Sequence, residues 1–126
     1  MEMNRPDVVE AVRKRFLEYE QALNTNDVGV LDECFLDSPN TVRFGMREAL
    51  WSFEEIKAFR RTRNTAGTPR KLERYEITTY GDAVAVANAM FTRVGVPKLG
   101  RQSQTWVKFE GTWKVVSAHV SLVDVK

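Results

Sequence analysis

The sequence predicts an α+β fold in which three N-terminal helices pack on one face of a curved, mainly antiparallel sheet. Two patterns lead there. Apolar residues recur at helical spacing through the first half, and β-rich runs separated by turn formers about every ten residues fill the second. Helices first and strands afterwards is the order of a fold with segregated layers, not of alternating β-α units.

Each element has its own signal. Pro6 stands in a first helical turn after Asn4. Val8, Val12, Phe16, Tyr19 and Leu23 then step by four, four, three and four, one apolar stripe along a helix over about 6–24. Asn26 and Asp27 cap a short second helix that buries Leu31, Cys34 and Phe35, and Ser38-Pro39-Asn40 closes it. Thr41 to Gly45 has strand character, with Thr41 and Arg43 on one face. Ser52 with Glu55 is a capping box, and Trp51 with Ile56 has the spacing of a hydrophobic staple, so a third helix is expected over about 53–63. Strands are expected over about 70–80, 83–94, 101–110 and 112–122, broken at Gly81-Asp82, at Gly95 to Gly100 and at Glu110-Gly111.

A chain of 126 residues can bury about two-thirds of the surface its unfolded form exposes, so a single domain over residues 1–126 needs no staples. With 43% hydrophobic and 29% charged residues, disordered and fibrous classes are excluded. Cys34 is alone, which rules out an internal disulfide, and no Cys/His cluster offers a structural zinc site. The segment Met1 to Asp7 is charged, and no apolar run has the length of a signal or a membrane span. A cytoplasmic protein without membrane association is the expectation. Arg60-Arg61-Thr62-Arg63 and Arg70-Lys71 read as a solvated helix end and strand start, and without interleaved aromatics they do not predict nucleic-acid binding.

No local catalytic motif occurs, so any chemistry must be assembled by the fold. The informative residues are polar ones on faces expected to point inward. Tyr19 lies in the apolar stripe, where its hydroxyl either bonds within the core or lines a cavity. Arg43 sits mid-strand, where a guanidinium is in solvent, in an ion pair, or facing an anionic ligand. Alternation in the last strand puts Trp113, Val115, Ser117, His119 and Ser121 on one face, turning from apolar to polar as a pocket mouth would. Histidine is the side-chain type suited to proton transfer near neutral pH, and His119, the one histidine in the chain, reads as structural or functional. Gln102, Gln104 and Trp106 share a face of the preceding strand and are either solvent-facing or donors to a carboxylate or urea. Cys34, in an apolar helix face, reads as packing.

Gly100 to Lys108 and Glu110 to Ser121 together resemble the closing hairpin of the SnoaL-like, nuclear transport factor two-like superfamily, whose fold is a cystatin-like cone. Over nearly its whole length the chain resembles the AtzH/HpxZ-type small proteins of cyanuric acid and oxalurate catabolism. The carrying segments are Arg5 to Val9, Phe16 to Leu23, Asn40 to Gly45, Ile56 to Arg60, Ile77 to Tyr80 and Gly100 to Trp106. The resemblance implies a decarboxylating amidohydrolase that converts 1,3-dicarboxyurea to allophanate, with the catalytic tyrosine and arginine falling on Tyr19 and Arg43. Gln104, Ser117 and His119 are assigned to substrate binding by the face argument alone. A small anionic substrate, no metal, no organic cofactor, and a homodimer or higher even homo-oligomer are expected. The hairpin also resembles the association domain of calcium/calmodulin-dependent kinases, which implies, as an alternative, a non-catalytic ligand-binding or oligomerisation module.

Overall fold

The structure, a computed structural model, describes residues 1–125. Helix α1 (Pro6–Thr25) begins at Pro6, whose fixed φ suits a first turn and whose missing N–H costs nothing there. It ends at Asn26, which takes the left-handed conformation at φ 54°. Its stripe of Val8, Val12, Phe16, Tyr19 and Leu23 is buried throughout. Helix α2 (Val28–Cys34) is capped by Asp27, whose carboxylate accepts from Val30 N–H at 3.2 Å. Helix α3 (Phe53–Arg60) is capped by Ser52, and Glu55 reaches back to accept from Trp51 N–H at 3.1 Å. Ile56 is buried, but Trp51 is largely exposed and sets its ring edge-on to Phe44 at 5.2 Å. Among the described residues no helix is long and apolar enough to cross a membrane.

The sheet has six strands: β1 (Val42–Phe44), β2 (Ala49–Leu50), β3 (Arg70–Tyr80), β4 (Val84–Arg93), β5 (Val96–Phe109) and β6 (Thr112–Asp124), in the order β2-β1-β6-β5-β4-β3. The long strands form a consecutive antiparallel meander, and β1 joins it parallel to β6. Three helices on a curved, mostly antiparallel sheet is the architecture the sequence predicts. The core lies between them, with Phe16 and Tyr19 of α1 in one cluster with Ala85, Ala87 and Trp106 of the sheet.

Two findings depart from simple strand alternation. The segment Val96 to Leu99, expected as a connection, extends β5, because Val94-Gly95 already makes the turn with Gly95 at φ 80°. The second is a pair of one-residue bulges. Leu72 pairs with Phe91 and Arg74 with Met90, which leaves Glu73 extra in β3. Trp106 pairs with Val115 and Thr105 with Ser117, which leaves Val116 extra in β6. An extra residue bends the strand and moves every later side chain to the opposite face.

Candidate functional site

Arg43 is aimed by its strand neighbour. In the parallel pairing of β1 with β6 it stands opposite Ala118, a small buried residue that leaves room for the guanidinium on the inner face. There it lines a cavity of about 50 Å3 together with Tyr19 from α1. Glu48 accepts a hydrogen bond from Arg43 Nη1 at 2.9 Å. Burial pushes the Glu48 carboxyl up, but the hydrogen bond and charge of Arg43 together with backbone N–H groups of Arg47 and Glu48 outweigh it and hold the group below the usual carboxylate range. Glu48 can lie back on this turn because Gly45 has no side chain, and a Cβ there would sit 1.7 Å from its Oε1.

A second arginine forms the far wall. Arg70 opens β3 in a buried pair with Glu20, donating from Nε to Glu20 Oε2 at 2.9 Å and from Nη2 to Glu20 Oε1 and, at 2.9 Å, to Gln102 Oε1. Its guanidinium stacks 4.1 Å from the Phe91 ring centroid, and Arg93 approaches the same ring at 5.0 Å. Burial and the neighbouring cations Arg70 and Arg63 lower the Arg93 pKa. Gln102 Nε2 is buried with no partner, a spare donor on a residue of the cavity wall.

A smaller cavity of about 20 Å3 adjoins this one, lined by Arg60 and Asn26 and sharing Arg43, Arg63, Thr65 and Leu23 with it. Across the two, five arginines meet two carboxylates, Glu48 and Glu20. Arg60, Arg63 and Arg93 have no acidic partner among the described residues. Such a field attracts small anions and has no equivalent for cations. No group of His, Cys, Asp and Glu among the described residues is arranged to hold a metal ion.

Tyr19 and Arg43 are therefore brought together. Ser117 and His119 are not. Both are exposed, and His119 sets its ring edge-on to Phe44 at 5.9 Å beside an outer groove that includes Lys98 and Ser121. The Val116 bulge is the reason, since Trp113 and Val115 before it face inward whereas Ala118, Val120 and Leu122 take the inner side after it. Gln104 is buried on the inner face, where it accepts from Trp106 Nε1 at 3.1 Å, but the cavity wall is formed by Gln102.

Arg60 and Arg70, read from the sequence as solvated, are buried. Arg60 completes the spacing Phe53, Ile56, Arg60 on the buried face of α3, and Arg70 shares an inward strand face with Leu72. Those two spacings were the signals available. The basic cluster around Arg60 concealed the first, and nothing local announced that Glu20 would meet the second. Cys34 is buried as expected, and burial raises its thiol pKa to about 11, which removes it as a nucleophile.

The fold and its cationic cavity define a protein of the nuclear transport factor two-like, cystatin-like class, an α+β cone with a pocket between the helices and the sheet. The chain belongs to the AtzH-like family, whose family model matches residues 1–126. Among solved structures it is similar to a protein of unknown function of the DUF3225 family from Pectobacterium atrosepticum. That protein is 51% identical with TM-score 0.93, over 97% of this chain and 95% of the other. A cystatin-like fold protein from Burkholderia xenovorans is 40% identical with TM-score 0.93, over 100% of this chain and 99% of the other. A putative ketosteroid isomerase from Shewanella frigidimarina shares the fold alone, at 14% identity and TM-score 0.78, over 90% of this chain and 97% of the other. No curated protein matches the chain.

Proposed function

We propose that the protein is a small decarboxylating amidohydrolase acting on a carboxylated urea-type dianion, 1,3-dicarboxyurea, with allophanate as product. The observation that carries the reading is that Tyr19 and Arg43, on separate elements, line one cavity in a field of arginines. Membership of the AtzH-like family supports it.

In the proposed step the bond between one urea nitrogen and its carboxyl carbon breaks. The nitrogen takes a proton, and the carboxyl carbon leaves as carbon dioxide or, after addition of water, as bicarbonate. Glu48 holds one amino group of Arg43 and leaves its other donors for a substrate carboxylate. The charge that moves as the bond breaks is then stabilised by a group already in place. Tyr19 supplies or relays the proton to nitrogen. Gln102, with an unpartnered amide N–H group, donates to the urea carbonyl.

The test is bicarbonate release from 1,3-dicarboxyurea by the purified protein. Turnover above the buffer blank that disappears with Arg43→Lys supports the reading, and a rate equal to the blank rejects it.

A further inference from the structure

We infer that Arg60 is a second carboxylate-binding group, which makes the pocket selective for small dianions over monoanions. This rests on the anion-binding reading above and assigns to its substrate a second point of attachment. Arg60 is 8% exposed, and its Nε and Nη2 are buried without any hydrogen-bond partner. A buried guanidinium costs stability unless something pairs with it, and the fold supplies the ring faces of Phe35 at 4.7 Å and Tyr19 at 6.0 Å, with the Tyr19 hydroxyl also favouring the charge. Asp32 is close enough to be felt electrostatically, but its Oδ2 is held by Arg61 at 2.7 Å, and its buried Oδ1, though unpartnered, makes no ion pair with Arg60. Burial is the largest influence on the group and lowers its pKa, with Arg43 lowering it further against Tyr19 and Asp32. A charge left unsatisfied in this way, beside another cation, is a site completed by an anion.

The shape names the anion. The cavity at Arg60 measures about 20 Å3. A water-sized group needs on the order of 10–15 Å3 of such space, so the cavity admits a carboxylate oxygen and little more. Arg43 lines both this cavity and the larger one. A ligand with a carboxylate at each end would span them, one carboxylate toward Arg60 and the other toward Tyr19, with Arg43 between. A monocarboxylate satisfies one end only, and one held at the Tyr19–Arg43 end gains nothing from Arg60.

The experiment is titration calorimetry of the full chain with malonate and with acetate, alongside thermal melting, for the wild type, Arg60→Met and Arg43→Met. Arg60→Met is expected to weaken malonate binding about tenfold or more and to leave acetate within about twofold. It is also expected to melt about 2–5 °C higher without ligand, because an unpaired buried charge is gone. If Arg60→Met does not fold, Arg60→Lys serves, with malonate expected about fivefold weaker because the planar grip is lost. Undiminished malonate binding by an Arg60 variant, while Arg43→Met abolishes it, overturns this inference and leaves the proposed function standing. A wild type that binds neither anion overturns this inference, and the turnover of 1,3-dicarboxyurea then decides the proposed function by itself.

Discussion

The ring of Phe91 lies on the bare backbone of Gly100, its partner across β4 and β5, so closely that a Cβ at position 100 would come within 2.2 Å of ring carbons. That contact fixes the ring on which Arg70 and Arg93 stack. A glycine expected to mark a turn instead seats an aromatic floor for the cationic wall. Gly100→Ala should therefore cost about 1–3 kcal/mol in urea unfolding, since the ring cannot stay where it is. Adding Phe91→Leu should recover part of that loss. A Gly100→Ala variant as stable as the wild type contradicts the packing argument.

Arg43→Lys keeps the charge but not the planar fork, and Tyr19→Phe keeps the packed ring but not the hydroxyl. Each should reduce turnover about 100-fold or more with the fold intact. Rates and melting temperatures on the same samples separate the roles. Unchanged rates with stability lower by about 1 kcal/mol would make both residues structural and favour a binding module.

Glu48 gives a pH dependence of known sign. Its folded pKa lies below the ordinary 4.5, so its contribution to stability is complete above that value and is lost as the pH falls through the depressed folded value. The stability difference between wild type and Glu48→Gln should be constant near neutrality and shrink below pH 4.5. Glu33 is depressed likewise, under Lys114 and Arg15 against its own burial, so only the difference between the two proteins isolates Glu48. A difference that widens on acidification has the wrong sign for this pair.

The buried Glu20–Arg70 pair should behave asymmetrically. Arg70→Met leaves Glu20 buried without its partner and should cost about 3–5 kcal/mol. Glu20→Leu combined with Arg70→Met should recover most of it, since well-packed apolar replacements of buried ion pairs are often neutral. Equal losses in the single and double variants would show that Arg70 acts through Phe91 and Gln102 instead.

The outer face of the sheet leaves Val84 at 38%, Met90 at 36% and Phe109 at 40% exposure. We expect a second copy of the chain to cover this apolar surface, giving a homodimer or a multiple of one. Light scattering at micromolar concentration measures this directly, and Phe109→Lys should shift the mass toward monomer. A wild-type monomer refutes it.

Local pattern alone determined much of this molecule. The stripe from Val8 to Leu23, the caps at Asp27 and Ser52 and the consecutive pairing of the four long strands all follow from spacings of a few residues, because helix and strand periods are set by the backbone. Tyr19 was legible for the same reason, whereas the inward aim of Arg43 came from the pairing of β1 with β6. What only the tertiary structure decided lies past the bulges and in the long-range pairs. The extra residue Val116 moved Ser117 and His119 outside, because a period-two alternation survives no insertion. Glu20 meets Arg70 across fifty positions. Arg60 is buried with no carboxylate to announce it, because charge in a sequence says nothing of where folding leaves it unpaired.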